Sequence, residues 1–286
     1  MILTVYHILA AFGLWILVTR VKWQTCAYCI VLHLATMTGA SSGIHRLWSH
    51  RSYQVNRPAR VILATFATLT MQGSILSWAK NHRLHHRYTD TDADPHNIRR
   101  GFFFAHMGWM MCFRHPEVSR LIKTIDISDL LADRLIRLQH RRFWPLSILL
   151  NFVLVPIVAH FLWKESLIYG MLTAGVLRVV VGMHNVWSIN SFAHTFGTRP
   201  YDLTTLATDC YWNALYIMSE GWHNYHHAFP YDYKSPDIPL LMSYPTRFVD
   251  LLAAIGWVQG RKTASPQAIK AALLKTTRAL DSQHSR

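Results

Sequence analysis

Between HRLWSH at 45–50 and HRLHH at 82–86 the chain reads VILATFATLTMQGSILSW, Val61–Trp78, and whether this run crosses a membrane decides the fold. At about 1.5 Å of rise per residue it is nearly long enough, as a helix, to cross about 30 Å of hydrocarbon. If it crossed, the flanking histidine clusters would emerge on opposite faces of a bilayer and could never meet. If the clusters share one metal site, the run must instead form a helix lying at the interface or buried under a cap, and the rest of the topology follows from that choice.

Four other stretches are long and apolar enough to span, at about 2–19, 24–43, 145–163 and 167–187. Tight turns around Arg20 and Lys22, and around Lys164 and Glu165, join them into two helical hairpins. GFFFAHMGWMMCF at 101–113 is too short to cross and is read like Val61–Trp78. Two spans then precede the first histidine cluster and two more separate the second from the third. All clusters and both termini therefore fall on the cytoplasmic face. The expected fold is all-α and integral to the membrane: a single domain over 1–286, with four transmembrane helices in two hairpins. A cytosolic helical cap is expected over 44–144 and 188–260, and a basic tail over 261–286, with a surface-lying helix from Pro266 to Leu280 and no chemistry of its own.

The composition agrees with this reading: 51% hydrophobic, 13% aromatic and only 15% charged residues, with a formal net charge of +14. The charge is unevenly placed. Twelve Lys or Arg lie from Lys80 to Arg142, whereas the turn between the later spans offers only Lys164 beside Glu165. That asymmetry is the positive-inside signature together with attraction to anionic lipid or an anionic headgroup, and it makes nucleic acid an unneeded partner. The four cysteines are too few and too scattered for a disulfide framework.

Eight of the eighteen histidines fall in three compact groups: His45 and His50; His82, His85 and His86; His223, His226 and His227. The H-x-x-H-H spacing puts residues i, i+3 and i+4 on one helical face, so two such helices can aim six imidazoles into one volume. His45 and His50, five apart, point about 140° from each other on an ideal helix, so the first group needs a helix end or a distortion between them. Imidazole suits iron, zinc, copper and nickel, and eight imidazoles exceed what one ion can hold. No carboxylate within the groups offers itself as the general base of a zinc hydrolase, so a redox pair that activates oxygen fits better than zinc.

These groups, with HRSY at 50–53, DADPHN at 92–97, RRGFFFAHMGW at 99–109, NSFAH at 190–194 and HNYHHAFPYDY at 223–233, resemble the integral-membrane acyl-CoA desaturases of the stearoyl-CoA (delta-9) type. The resemblance covers nearly the whole of Gly39 to about Trp257. It implies two iron ions (Fe2+) and O2, with one iron on His45, His50, His82, His86 and His226. The other would be held by His85, His194, His223 and His227, with a water held by Asn190. It promotes His194 to a ninth ligand, which spacing alone leaves an ordinary helix-end histidine. It also implies an oxidoreductase that introduces a cis double bond, delta-9, into a saturated acyl-CoA whose chain enters a tunnel beneath the di-iron site. Electrons are expected from cytochrome b5 and its reductase, or a ferredoxin, since no haem-binding or flavin-binding segment is visible. The location implied is the endoplasmic reticulum membrane in a eukaryote or the inner membrane in a bacterium.

For the substrate the resemblance points to Trp187, near the acyl carbonyl, and to Lys80, Asn81 and Arg114 at the polar end. Departures from the family pattern sit there: Gly73-Ser74 and Lys80-Asn81 replace Asn-Asp and Arg-Asp, and Phe113-Arg114 replaces two basic residues. The rival readings are an acyl-lipid desaturase or hydroxylase on the same scaffold and, more distantly, a histidine-rich metal transporter, which would place His and acidic residues at mid-depth in the spans. Arg178, charged within the fourth span, should face the protein interior or the interface. His96 is a candidate support for a ligand imidazole, with Asp92 and Asp94 as possible acceptors. The remaining histidines, His106 and His184 among them, read as packing or interfacial residues.

Overall fold

The computed structural model describes residues 1–217, 220–234 and 244–284, so that residues 218–219 and 235–243 of the expected cap and 285–286 of the tail lie outside the described residues. Four helices are long and apolar enough to cross a membrane: Ile2–Thr19, Trp23–Ser49, Phe143–Trp163 and Leu167–His194. The second and fourth run past the expected ends at 43 and 187. The apolar pattern stops there, but the helices continue and carry His45 and His194 with them. Val61–Trp78 does not form one helix. It is divided between helices Arg57–Leu69 and Ile75–Tyr88, and the break contains Met71 and Gly73, both with positive φ.

The chain forms two compact units. The first comprises Met1–Ile44, Val61–Trp78 and Ser128–His184. Its helices approach closely where side chains are smallest: a Cβ on Gly13 would lie 2.4 Å from Leu172 O, and one on Gly39 would lie 2.2 Å from the Phe66 carbonyl carbon. Ile8, Phe12, Phe161 and Leu162 are exposed, as lipid-facing residues must be. The two hairpin turns interlock through Glu165, which is buried. Its carboxylate accepts from Thr25 Oγ1 at 2.5 Å and from Lys22 N at 3.0 Å, while Lys22 Nζ donates to Trp163 O at 2.8 Å.

The break in Val61–Trp78 is anchored from helix Arg134–Arg141. Gln139 accepts from Ile75 N at 3.1 Å and donates to Thr68 Oγ1 at 3.1 Å, and His140 Nδ1 lies 2.7 Å from Ser74 Oγ. Arg178 faces inward, as its charge requires. Only 3% exposed, it donates to Ala174 O at 2.7 Å, to Thr36 Oγ1 at 2.6 Å and to Asn151 Oδ1, all neutral acceptors. His7 and His184 pair across this unit with their Nε2 atoms 2.9 Å apart.

The second unit comprises His45–Arg60, Ala79–Ile127 and Asn185–Arg286. A two-residue antiparallel ladder, Gln54–Val55 with Val258–Gln259, ties its first segment to its last. The tail helix Pro266–His284 is not merely surface-lying. Ala268, Ile269 and Ala272 pack against the cluster of Tyr225, Phe229 and Ala264, so its apolar face buttresses helix His223–Ala228, which carries the third histidine group.

Candidate metal centre

Helix Trp23–Ser49 changes winding before it delivers its histidines: Gly39–Ser49 is π-helical, and His50 N donates to His45 O at 3.1 Å, an i→i+5 bond. That wider turn brings residues five apart nearly into line, which is the distortion that the spacing demands. His82, His85 and His86 lie on one face of helix Ile75–Tyr88, and His223, His226 and His227 on helix His223–Ala228. Asp209 starts the latter helix by accepting from Tyr225 N at 3.0 Å.

The imidazoles converge in two sets, His45, His50, His82, His86 and His226, and then His85, His194, His223 and His227. Within each set one nitrogen per residue lies within 4.8 Å of all the others. Nε2 atoms meet at 2.9 Å for His45 and His226, 2.8 Å for His50 and His82, 2.9 Å for His86 and His226, and 3.0 Å for His223 and His227. Burial, and then the charge of neighbouring groups, holds the pKa of His50, His82, His86, His223, His226 and His227 well below the ordinary imidazole range. They are therefore neutral at pH 7 and keep the lone pairs that a metal uses. His194 Nε2, in the second set, is buried and has no hydrogen-bond partner among the described residues. Iron fits this arrangement, since imidazole is among its preferred donors and each set offers more nitrogen than a buried proton would need.

Three carboxylates stand behind the imidazoles. Asp94 Oδ1 lies 2.9 Å from His85 Nδ1, Glu220 Oε2 lies 3.1 Å from His45 Nδ1, and Asp90 Oδ1 lies 3.3 Å from His194 Nδ1. Asp94 and Glu220 thereby favour the proton on Nδ1 and leave Nε2 able to bind a metal, whereas Asp90 places a negative charge close to His194 without a hydrogen bond to it. Burial opposes charge on His85, but Asp94 outweighs it and raises the pKa of that imidazole. Asp94 in turn is driven down, chiefly by His85 against the cost of burial. Glu220 is gripped by Arg46, whose Nη2 donates at 2.8 Å and whose Nη1 reaches Thr246 Oγ1 at 3.0 Å and Tyr233 O. Arg83 binds the backbone at the end of the first group's helix, donating to Trp48 O at 2.7 Å and Ser49 O at 3.1 Å.

Spacing and resemblance thus place all nine imidazoles where the structure brings them together, but they miss Asp90, Glu220 and Arg46. The only signal for these is proximity in the chain: Glu220 stands three residues before His223, and Arg46 beside His45. The support expected of His96 belongs to Asp94. His96 stacks on Trp109 with centroids 4.4 Å apart, its Nδ1 has no partner among the described residues, and Asp92 is exposed. Asn190 is half-buried one turn before His194. Of the residues read as substrate contacts, Trp187 is buried. Lys80 and Asn81 precede His82 on its helix, with Asn81 Oδ1 buried and without a hydrogen-bond partner among the described residues, and Arg114 is exposed beyond them.

Residues 22–240 match the family model described as fatty acid desaturase. The chain is 41% identical over 263 residues to a Delta(9)-fatty-acid desaturase of Caenorhabditis elegans, covering 92% of this chain and 78% of that protein. It is 39% identical over 270 residues to an acyl-CoA desaturase of Ovis aries, covering 94% and 75%. Against an acyl-CoA Delta(11) desaturase of Choristoneura rosaceana it is 38% identical over 272 residues, covering 95% and 81%.

Proposed function

Since the chain belongs to the fatty acid desaturase family, and is thus an oxidoreductase acting on fatty acyl chains, we propose that it is a di-iron, oxygen-dependent acyl-CoA desaturase. His45, His50, His82, His86 and His226 hold one iron, and His85, His194, His223 and His227 the other, with a water on Asn190. The convergence of nine imidazoles into two sets is the observation that carries this reading. Bound iron supplies the one-electron chemistry by which O2, two electrons and two protons are converted to two waters as two hydrogens leave adjacent methylenes.

The protein's own residues do three things in this proposal. Buried neutral imidazoles present lone pairs, Asp94 and Glu220 hold two of the rings in one tautomer, and Asp90 adds negative charge beside a third, so that the ligand geometry is set before the metal arrives. Trp187 holds the acyl end, and Lys80, Asn81 and Arg114 hold the carrier. A cis double bond at delta-9 is proposed because relatives named for that position are among the most similar. The whole of 1–286 works as one desaturase domain, with its metal sites on the cytosolic face of the endoplasmic reticulum or bacterial inner membrane. Cytochrome b5 with its reductase, or a ferredoxin, supplies the electrons.

Expression in a desaturase-deficient yeast, followed by mass spectrometry of the fatty acids, tests the reading. A new monounsaturated acyl chain that disappears in His45→Ala is the expected result. Hydroxylated acyl chains in its place would move the chain to the hydroxylase reading, and no change in the acyl pool under full expression would overturn the proposal.

A further inference from the structure

His106 belongs to neither histidine set, and the reaction gives it no part. It closes the short helix Phe102–His106, and its contacts converge on one place, the last turn before His194. There the helix Arg178–Ser191 gives way to the 3-10 turn Phe192–His194, with Ser191 at φ −109° and ψ −65°. Winding tightens from about 100° to about 120° per residue at such a change, so three residues of 3-10 turn rotate a side chain by roughly 60° relative to a straight α-helix. Where the change occurs therefore decides which way His194 points.

Ser191 is fully buried. Its hydroxyl lies 3.2 Å from Trp187 O, to which it donates, and 2.9 Å from His106 Nδ1, with which it shares a hydrogen bond. His106 also hydrogen-bonds the Trp187 backbone, and its ring meets the Trp187 ring edge-on at 6.0 Å. At the other end of the same short helix, Phe102 meets Phe192 edge-on with centroids 4.9 Å apart. One five-residue helix thus grips residues 187, 191 and 192.

We propose that His106 is a positioning residue that, through Ser191, holds the α-to-3-10 change in place and so aims His194 at the second metal while holding Trp187. This rests on the assignment of His194 as a ligand, and the test separates the two. Four full-length proteins are purified in detergent, loaded with iron and challenged with a chelator: wild type, His106→Phe, His106→Asn and Ser191→Ala. Metal content is followed alongside kcat and KM.

His106→Phe keeps an aromatic ring and removes the hydrogen-bonding nitrogens. It is expected to retain the first metal, to bind the second 10- to 100-fold more weakly, and to lose kcat with KM little changed. His106→Asn, whose amide N–H falls near the place of Nδ1, restores most of both. Ser191→Ala reproduces the defect with His106 intact, and decides the matter if His106→Phe does not accumulate. Wild-type metal affinity and kcat in His106→Phe or in Ser191→Ala overturns the proposal, as does equal loss of both metals. A fully loaded wild type holding only one metal would instead overturn the His194 assignment itself.

Discussion

The two histidine sets differ in how they are provisioned. The first has five imidazoles and one carboxylate behind them, Glu220, itself neutralised by Arg46. The second has four imidazoles and two carboxylates, Asp94 and Asp90, with no arginine ion-paired to either among the described residues. A site with one imidazole fewer thus carries more negative charge immediately behind its donors. That charge makes the remaining imidazoles better donors and compensates part of a dication's charge in a buried place. Ligand number and outer charge are exchanged for one another.

The comparison breaks most sharply at its thinnest point. His194→Ala leaves the second set with three imidazoles and should abolish desaturation, with metal content falling from two toward one. His50→Ala leaves the first set with four, the number with which the second begins. It should therefore retain more metal than His194→Ala when both are assayed by mass spectrometry after chelator challenge. Equal retention would show that ligand count does not govern affinity here.

The outer charges come next. Asp94→Asn should weaken the second metal by 10- to 100-fold, as loss of such partners usually does. Glu220→Gln should cost less, because Arg46 already offsets the charge that is removed and an amide can still accept from His45. Metal titration of the two variants side by side checks the order, and a larger effect for Glu220→Gln would reverse the charge argument.

A third test removes the metals altogether. Six imidazoles have folded pKa values well below the unfolded value of about 6.5. Below that value the unfolded chain binds protons that the folded chain refuses, so this contribution to stability is fully present above about pH 6.5 and is lost as pH falls. The Tm of metal-free protein should be nearly flat above about pH 7 and should drop through pH 6 and 5. Metal-loaded protein should hold its Tm to lower pH. The smallest effect is expected at His184→Ala, which loses the hydrogen bond to His7 within the first unit and should cost about 1 kcal/mol with activity near wild type.

The three histidine groups are legible because H-x-x-H-H is a local pattern read out on one helical face, and the four apolar stretches because they need no partner to be recognised. Other features depend on contacts distant in the chain. Asp90 reaches His194 across more than a hundred residues, and nothing in Tyr88-Thr89-Asp90 announces it. His194 itself was visible only through family resemblance, since a lone helix-end histidine carries no spacing signal. The break in Val61–Trp78 is hidden because the apolar pattern runs on through it and only Gly73 marks it locally. Its stop is provided by Gln139 and His140, from a segment more than sixty residues away.

The π-wound segment Gly39–Ser49 can be restated as a matter of counting. A helix that closes its bonds five residues on has one residue more than the α-helix would use for the same turn, and here that extra residue is what aligns His45 with His50. Deleting a single small residue from Gly39-Ala40-Ser41-Ser42 removes no ligand, no charge and almost no apolar surface. It nevertheless shifts every side chain on one side of the deletion by about 100° around the helix axis. The number of residues in this segment is therefore as constrained as their size, which the backbone of Phe66 already limits at Gly39.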